Sequence, residues 1–210
     1  MAGSNILTST LDLVSQSLQI PVLIFLLIFA IGAIILLGGL IREYRHRKTV
    51  SNVEMKTLIN SISNAKSQDE ILGIIESSDI PNSMKNDLKE ITDTDLDLES
   101  RVSLAKKLVN SREKKLEKRL SYTDIITRIG PTLGLMGTLI PMGPGLAALR
   151  SGDIVTLSNA IIVAFDTTVV GIGSGALAYV ISKIRRRWYS EYIANIDVLS
   201  DVVLTRIKRL

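Results

Sequence analysis

The feature that most constrains this chain is an uninterrupted apolar segment, residues 20–41, that contains no charged side chain. As an α-helix rising ~1.5 Å per residue it would be about 33 Å long, enough to cross a hydrocarbon core of about 30 Å. A cleavable signal peptide is the alternative, but it carries its basic residues before the apolar segment. Here residues 1–19 lack Lys and Arg, and a basic run follows the segment, at Arg42, Arg45, Arg47 and Lys48. The segment therefore predicts a membrane anchor.

Two further apolar segments, residues 129–149 and 154–182, predict a helical hairpin joined by an outer turn at 150–153. Between residues 129 and 182 the only charged side chains are Arg150, Asp153 and Asp166. A second basic cluster follows the third span and contains Lys183, Arg185, Arg186 and Arg187. Both basic runs fall on the cytoplasmic side if the amino terminus is outside, as the positive-inside rule favours.

The expected topology is that of a multi-pass protein of the cytoplasmic membrane. It places a short extracytoplasmic amino terminus at residues 1–19, a cytoplasmic helical segment at 42–128 and a cytoplasmic carboxyl-terminal helix at 183–210. Membrane lipids then surround the spans. Nucleic-acid binding is not expected, because membrane-flanking positions explain the basic clusters and no aromatic platform accompanies them.

Helical periodicity extends beyond the spans. Ser67-Gln68-Asp69-Glu70 has the pattern of a capping box and predicts a short helix ending near Ser77 to Pro81. A second short helix would place on one face Ile80, Met84, Leu88 and Ile91. From Leu98 a long helix is expected to run into the second span, and a similar apolar stripe follows the third span at Tyr192, Ile196, Leu199, Val203, Ile207 and Leu210. The predicted fold class is an all-α membrane protein with three transmembrane helices and long cytoplasmic helical extensions that pack together.

Small residues dominate the predicted hairpin. The second span contains Gly130, Pro131, Gly134, Gly137 and Thr138, and the third presents on a comparable side Ala164, Thr168, Gly171 and Gly175. Spacing by four permits close helix packing, with threonine hydroxyls bonded to their own backbone. Pro141 and Pro144 remove backbone donors, which predicts a kinked or partly unwound outer half that lipid tolerates only against protein or water. The first span is apolar around its whole circumference and is expected to face lipid.

Asp166 is the least expected residue of the third span. A charged carboxylate near the bilayer centre costs several kcal/mol (~3 kcal/mol on insertion scales) unless it is paired, hydrated or protonated. Asn159 lies nearly above Asp166 on the helix, whereas Thr168 lies about 160° around it and Thr167 is intermediate. Asp166 is therefore either a structural group between subunits or part of an ion path.

Common enzyme chemistry has little support in this composition. The chain has no Cys and one His, His46, so it offers no disulfide, no thiolate nucleophile and no Cys- or His-based metal site. It also lacks a recognisable nucleophile–base pair and P-loop. We expect a protein that is not an enzyme and that needs no cofactor or metal.

The segments Gly134-Leu135-Met136-Gly137-Thr138 and Ala164-Phe165-Asp166-Thr167-Thr168-Val169-Val170-Gly171 resemble the MotA/TolQ/ExbB proton-channel family. The expected three-span topology is similar to the TolQ/ExbB branch rather than to four-span MotA. The resemblance implies a homopentamer whose second and third helices line a pore around a dimeric, single-span ExbD/TolR/MotB-like partner. Ion flow through such a complex would drive mechanical work.

The resemblance also implies roles for individual residues. Thr138 matches the family threonine of the second span and Thr168 that of the third, so both would be pore-lining hydroxyls. The familiar pattern has no acid at the position of Asp166, which with Asn159 and Thr167 completes the set of candidate proton-path residues. The usual pattern has a glutamate five residues before the second threonine, where Val163 stands here. The alternative function is a non-conducting membrane scaffold, in which Asp166 and the threonines form static interhelical hydrogen bonds.

Overall fold

The structure is a computed structural model that describes residues 2–47, 50–93 and 95–210, with side chains described from residue 6 onward. Within these ranges the chain forms seven α-helices and no strand. The helices are α1 (Ala2–Ser17), α2 (Gln19–His46), α3 (Asn52–Asn64), α4 (Gln68–Ser77), α5 (Asn82–Thr92), α6 (Leu98–Arg150) and α7 (Ile154–Ile207). Lys48, a member of the first basic run, lies outside the described residues.

Three helical stretches are long and apolar enough to cross a membrane: Ile6–His46, Leu98–Arg150 and Ile154–Ile207. The first joins α1 and α2, because Leu18 N donates to Val14 O at 3.2 Å and Val22 N to Leu18 O at 3.0 Å. The expectation of an all-α membrane protein with three spans is therefore confirmed. Helix α1 was not anticipated, and the side of the membrane on which each segment lies remains a prediction.

The chain divides into two compact units. One, called here the hairpin unit, comprises the described residues up to Ile41 together with Leu120–Ile184. The other, the stem unit, comprises the described residues of Arg42–Arg119 together with Arg185–Leu210.

The stem unit has its own hydrophobic core. The predicted face of α5 is buried at Ile80, Met84, Leu88 and Ile91, and the stripe of α7 is buried at Ile196, Leu199 and Val203. Ala105 and Val102 of α6 pack in the same cluster, so the extensions of α6 and α7 do pack together, as expected. Leu210 was wrongly included in the stripe. It follows the end of α7 and is half exposed.

Capping residues define the starts of two short helices in the stem unit. The predicted start of α4 is confirmed: Ser67 Oγ accepts from Glu70 N at 3.2 Å, although Glu70 Oε2 accepts from Lys66 N at 2.6 Å rather than from Ser67. Helix α3 was missed by the sequence analysis. It begins with a complete capping box, in which Ser51 Oγ accepts from Glu54 N and Glu54 Oε2 accepts from Ser51 N at 2.8 Å.

A cluster of aromatic and charged side chains joins the end of α2 to α7 within the stem unit. Trp188 stacks on Tyr44 with ring centroids 6.1 Å apart, and the guanidinium of Arg47 lies 5.0 Å from the Trp188 ring. Arg47 also pairs with Glu191 at 2.6 Å. Cation–π and ion-pair contacts each contribute about 1 kcal/mol at exposed sites, so several together are needed to fix this end of α2.

In the hairpin unit, one side of α2 packs against α6, and the expectation that the first span faces lipid stays a prediction for its remaining surface. Val22 and Leu26 are buried and pack with Ile140 of α6. Most of the remaining surface of α2 is exposed and apolar. The sequence could not reveal the packed side, because a helix that is apolar all round has no hydrophobic periodicity.

The second span is not unwound, so this part of the expectation is wrong, and a kink at its prolines stays a prediction. Helix α6 continues through Pro131, Pro141 and Pro144 without interruption. Membrane helices tolerate proline when neighbouring helices accommodate the ring and the freed carbonyl. At Pro131 this neighbour is Gly175 of α7, where an added methyl group would lie 2.7 Å from the proline ring and 3.5 Å from Thr127 O, the carbonyl whose donor Pro131 removes.

Candidate functional site

The centre of the hairpin unit is a contact between the backbones of α6 and α7. A methyl group on Gly171 would lie 2.7 Å from Gly130 O and 2.7 Å from Gly134 Cα. A methyl group on Gly134 would lie 3.0 Å from Thr167 O. Distances this short leave no room for a side chain, so the glycines set how closely the two helices approach.

The same close contact continues towards the turn between the helices. A methyl group on Gly137 would lie 2.6 Å from Thr167 Cβ, and one on Gly145 would lie 2.7 Å from Ala160 Cβ. Thr167 is buried, and its hydroxyl donates to Val163 O at 2.8 Å. This position favours a packing role for Thr167. The contact of Gly145 with Ala160 was not predicted from the sequence, although the small residues at these two positions could have indicated it.

Thr138 and Thr168 lie at one edge of this backbone contact. A methyl group on Gly134 would be 3.6 Å from Thr168 Cα, and Thr138 follows Gly134 by four residues, about one helical turn of ~5.4 Å. The two threonines therefore lie within about one helical turn of each other along the helix pair, and both are partly exposed in the single chain. Their hydroxyls donate to their own helices, Thr138 to Leu135 O at 2.7 Å and Thr168 to Ala164 O at 2.9 Å.

Asp166 and Asn159 lie on a different side of α7. Both are exposed. Two apolar side chains lie beside Asp166, and of these Phe165 is 69% and Val169 70% exposed. Asp166 and Asn159 are seven residues apart, about two turns, so they share one face. The structure thus groups the five proposed path residues into three places: the threonine edge, the packed interior at Thr167, and the exposed face of Asp166 and Asn159.

One polar pair of the hairpin unit was missed. Ser182 Oγ donates to Asp124 Oδ1 at 2.7 Å and joins α6 to α7. The sequence signal was Asp124 itself, an acidic residue only a few positions before the second span. Among the described residues, no group of three or more His, Cys, Asp or Glu is arranged to hold a metal ion.

Fold and site together define a class of protein: a three-span, all-α membrane protein built on a glycine-packed helix pair with hydroxyl groups at its edge. A family model described as the MotA/TolQ/ExbB proton channel family matches residues 76–198, more than half of the chain. The chain belongs to this family. Proteins of the family work in membrane complexes with partners and are channel proteins rather than known enzymes. No curated protein matches the chain.

Proposed function

We propose that this chain is the ion-conducting subunit of an energy-transducing complex of the cytoplasmic membrane and couples ion flow to mechanical work through a single-span partner. The observation that carries the proposal is the position of Thr138 and Thr168, two partly exposed hydroxyls that lie within about one helical turn of each other along a closely packed helix pair. Family membership supplies the proton-channel class. The coupling and the partner are the added steps.

The chemistry of the two hydroxyls suits a proton path. Each donates its hydrogen to its own helix, so the lone pairs of its oxygen can accept a hydrogen bond from water or from a partner's protonated carboxyl. A threonine can thus orient water without adding a fixed charge to the path. A membrane potential of 100 mV supplies about 2.3 kcal/mol per elementary charge, which is the driving force available for the work.

The exposed face of α7 supports assembly. A carboxylate facing lipid costs ~3 kcal/mol or more, so the surface that carries Asp166 and Asn159 requires a cover. We propose that other copies of the chain provide it, in a homopentamer that holds a dimer of an ExbD/TolR/MotB-like protein in its central pore. The amino terminus lies outside and the carboxyl terminus in the cytoplasm, as the two basic clusters favour.

Thr138→Ala and Thr168→Ala are each expected to lower proton flux about tenfold or more, because the loss of one positioned hydroxyl interrupts an ordered water chain. The measurement is acidification of liposomes containing the complex purified with its native partner. Thr132→Ala is the matched control. Thr132 lies on the same helix, its hydroxyl donates to Ile129 O at 2.8 Å, and it points about 120° away from Thr138.

Two outcomes would contradict the proposal. If Thr138→Ala and Thr168→Ala conduct protons as well as the wild type and the Thr132→Ala control, Thr138 and Thr168 are not part of the path. An intact complex that carries no flux under any membrane potential would favour the scaffold function. The scaffold function predicted hydrogen bonds between helices, whereas in the single chain the hydroxyls of Thr138, Thr167 and Thr168 donate to their own helices.

Asp166→Asn is expected to leave proton flux and assembly nearly unchanged, whereas Asp166→Leu should weaken assembly. The reason is geometric: Asp166 lies about 160° from Thr168 around α7, so both cannot face one pore. Asn keeps a hydrogen-bonding group between subunits and Leu does not. Flux and subunit number are measured on the same preparations. A large loss of flux in an intact Asp166→Asn complex would place Asp166 in the ion path instead.

A further inference from the structure

The stem unit carries two exposed faces of opposite charge, one on α6 and one on α7. On α6, Lys106, Lys107 and Lys114 are exposed along one side together with Lys115 and Lys118, interleaved with Ser103, Asn110 and Ser111. We call this side the lysine face. On α7 the exposed side carries Glu191, Asp197 and Asp201, here called the acidic face.

The charges at the centres of both faces are exposed, and Arg206 and Arg209 border the acidic face near Asp201. In the part of the chain that the structure describes, Lys106 and Lys107 form no ion pair, and neither do Asp197 and Asp201. Glu191 differs, because it pairs with Arg47. The lysine face is bordered by Glu113 and Glu117, but its five lysines leave it positive.

The two faces lie at the same level along the helix pair. Arg119 of α6 lies beside Tyr189 of α7, and Arg112 lies beside Tyr192. The two helices therefore run in opposite directions, and two residues at the same level have numbers that sum to about 306. Position 105 is therefore level with Asp201. Lys106 and Lys107 lie within about 3 Å of that level, at 1.5 Å per residue.

Insertion into a membrane limits how neighbouring copies of the chain can meet, which is why the equal level of the two faces matters. All copies of a membrane protein inserted in one direction share the same orientation, so a ring of copies has its axis along the membrane normal. Contacts around a ring of more than two copies are heterologous and need two different, complementary surfaces at matching heights. The lysine face and the acidic face are opposite in charge and lie at one level within the stem unit, so they suit such a contact.

We propose that the lysine face of one copy docks on the acidic face of the next, with Lys106 and Lys107 against Asp197 and Asp201. Beside these carboxylates the exposed side of α7 carries Ala194 and Val198, and lysine stems can cover such apolar atoms while their amino groups reach carboxylates. This inference rests on the ring assembly of the proposed function and adds the surface that sets its direction and register.

Crosslinking can test this register, because the chain contains no natural cysteine. The variant Lys107→Cys with Asp201→Cys, treated in membranes with a short bis-maleimide, should give a ladder of covalent multimers. The matched control is Lys114→Cys with Asp201→Cys, whose positions differ in level by about 14 Å. Neither this pair nor either single variant of the first pair should form a ladder.

Charge reversal gives a second measurement. Lys106→Glu with Lys107→Glu should reduce the fraction of oligomer, and adding Asp197→Lys with Asp201→Lys should restore it. A wild-type oligomer that yields no ladder with the level pair, or the same ladder with the control pair, would overturn the inference and leave the proposed function standing. A monomeric wild-type chain in its native membrane would overturn both the assembly and this inference.

Discussion

Gly171→Leu is expected to lower the free energy of unfolding by about 3 kcal/mol or more and to prevent a stable α6–α7 pair. Its first added carbon would lie 2.7 Å from Gly130 O and from Gly134 Cα, which are backbone atoms that cannot rotate away. The helices must separate, and every close contact along the pair is then weakened. Overpacking of well-packed interiors costs ~1–3 kcal/mol even where side chains can adjust. The measurement is thermal unfolding of the detergent-solubilised full chain by circular dichroism.

Gly173→Leu is the matched control, since a methyl group there would contact nothing within 4 Å. Leucine is a better helix former than glycine by up to ~1 kcal/mol, so this variant should be unchanged or slightly stabilised. The two substitutions therefore have the same chemistry and lie two residues apart, but only Gly171→Leu is expected to lower stability. An equal loss of stability in both would mean that general packing of α7, rather than the backbone contact, determines the outcome.

The sequence predicted the elements whose signals are local. The length of the apolar segments predicted three spans, Ser67 predicted the start of α4, and the spacing of Ile196, Leu199 and Val203 predicted the packed side of α7. Each of these signals acts within one helix. These elements could therefore be predicted from the sequence without knowledge of what lies beside each helix.

Features that depend on a neighbouring element were less predictable. The small residues of both spans indicated close packing, but not that Gly175 would accommodate Pro131 and let α6 continue unbroken. Thr167 and Thr168 are adjacent and of the same residue type, so the sequence alone could not tell which hydroxyl is buried and which is partly exposed. Which of them can border a pore depends on the angle at which α6 meets α7, and only the structure supplies that angle.

The same limit applied to ion pairs. The densely charged segment before the second span contains many lysines, arginines and acids, and nothing in their spacing singles out Arg112 and Asp87, which are 25 residues apart. In the structure, Arg112 Nε donates to Asp87 Oδ2 at 2.6 Å and Arg112 Nη2 to Oδ1 at 2.7 Å. The side chain of Asp87 is only 5% exposed. The carboxylate of Asp87 therefore belongs to the stem core, while Arg112, whose side chain is 28% exposed, reaches it from the surface.

Arg112→Met is expected to lower the free energy of unfolding of the stem unit by about 3 kcal/mol, because it leaves the buried carboxylate of Asp87 without its bidentate donor. Guanidinium unfolding of the full chain in detergent, followed by the fluorescence of the single tryptophan, Trp188, measures the change in the same unit. Glu76→Gln is the control. It breaks an ion pair with Lys89 that is exposed to solvent, and should change stability little.

The pH dependence of the pair follows from the pKa of Arg112. The hydrogen bond with Asp87 is the chief cause that raises the pKa of Arg112 above its usual value, while burial opposes it. A group with a raised folded-state pKa stabilises fully below its unfolded pKa and loses this effect only as pH rises through the folded value. Titration of Arg112 should therefore leave the pair's contribution constant up to strongly alkaline pH.

The double variant Asp87→Leu with Arg112→Met separates the cost of an unpaired charge from the value of the pair. Replacing both partners by apolar side chains removes the buried charge, so the double variant should be more stable than Arg112→Met alone. A double variant no more stable than Arg112→Met would show that lost packing of the guanidinium stem, rather than the unpaired carboxylate, sets the cost.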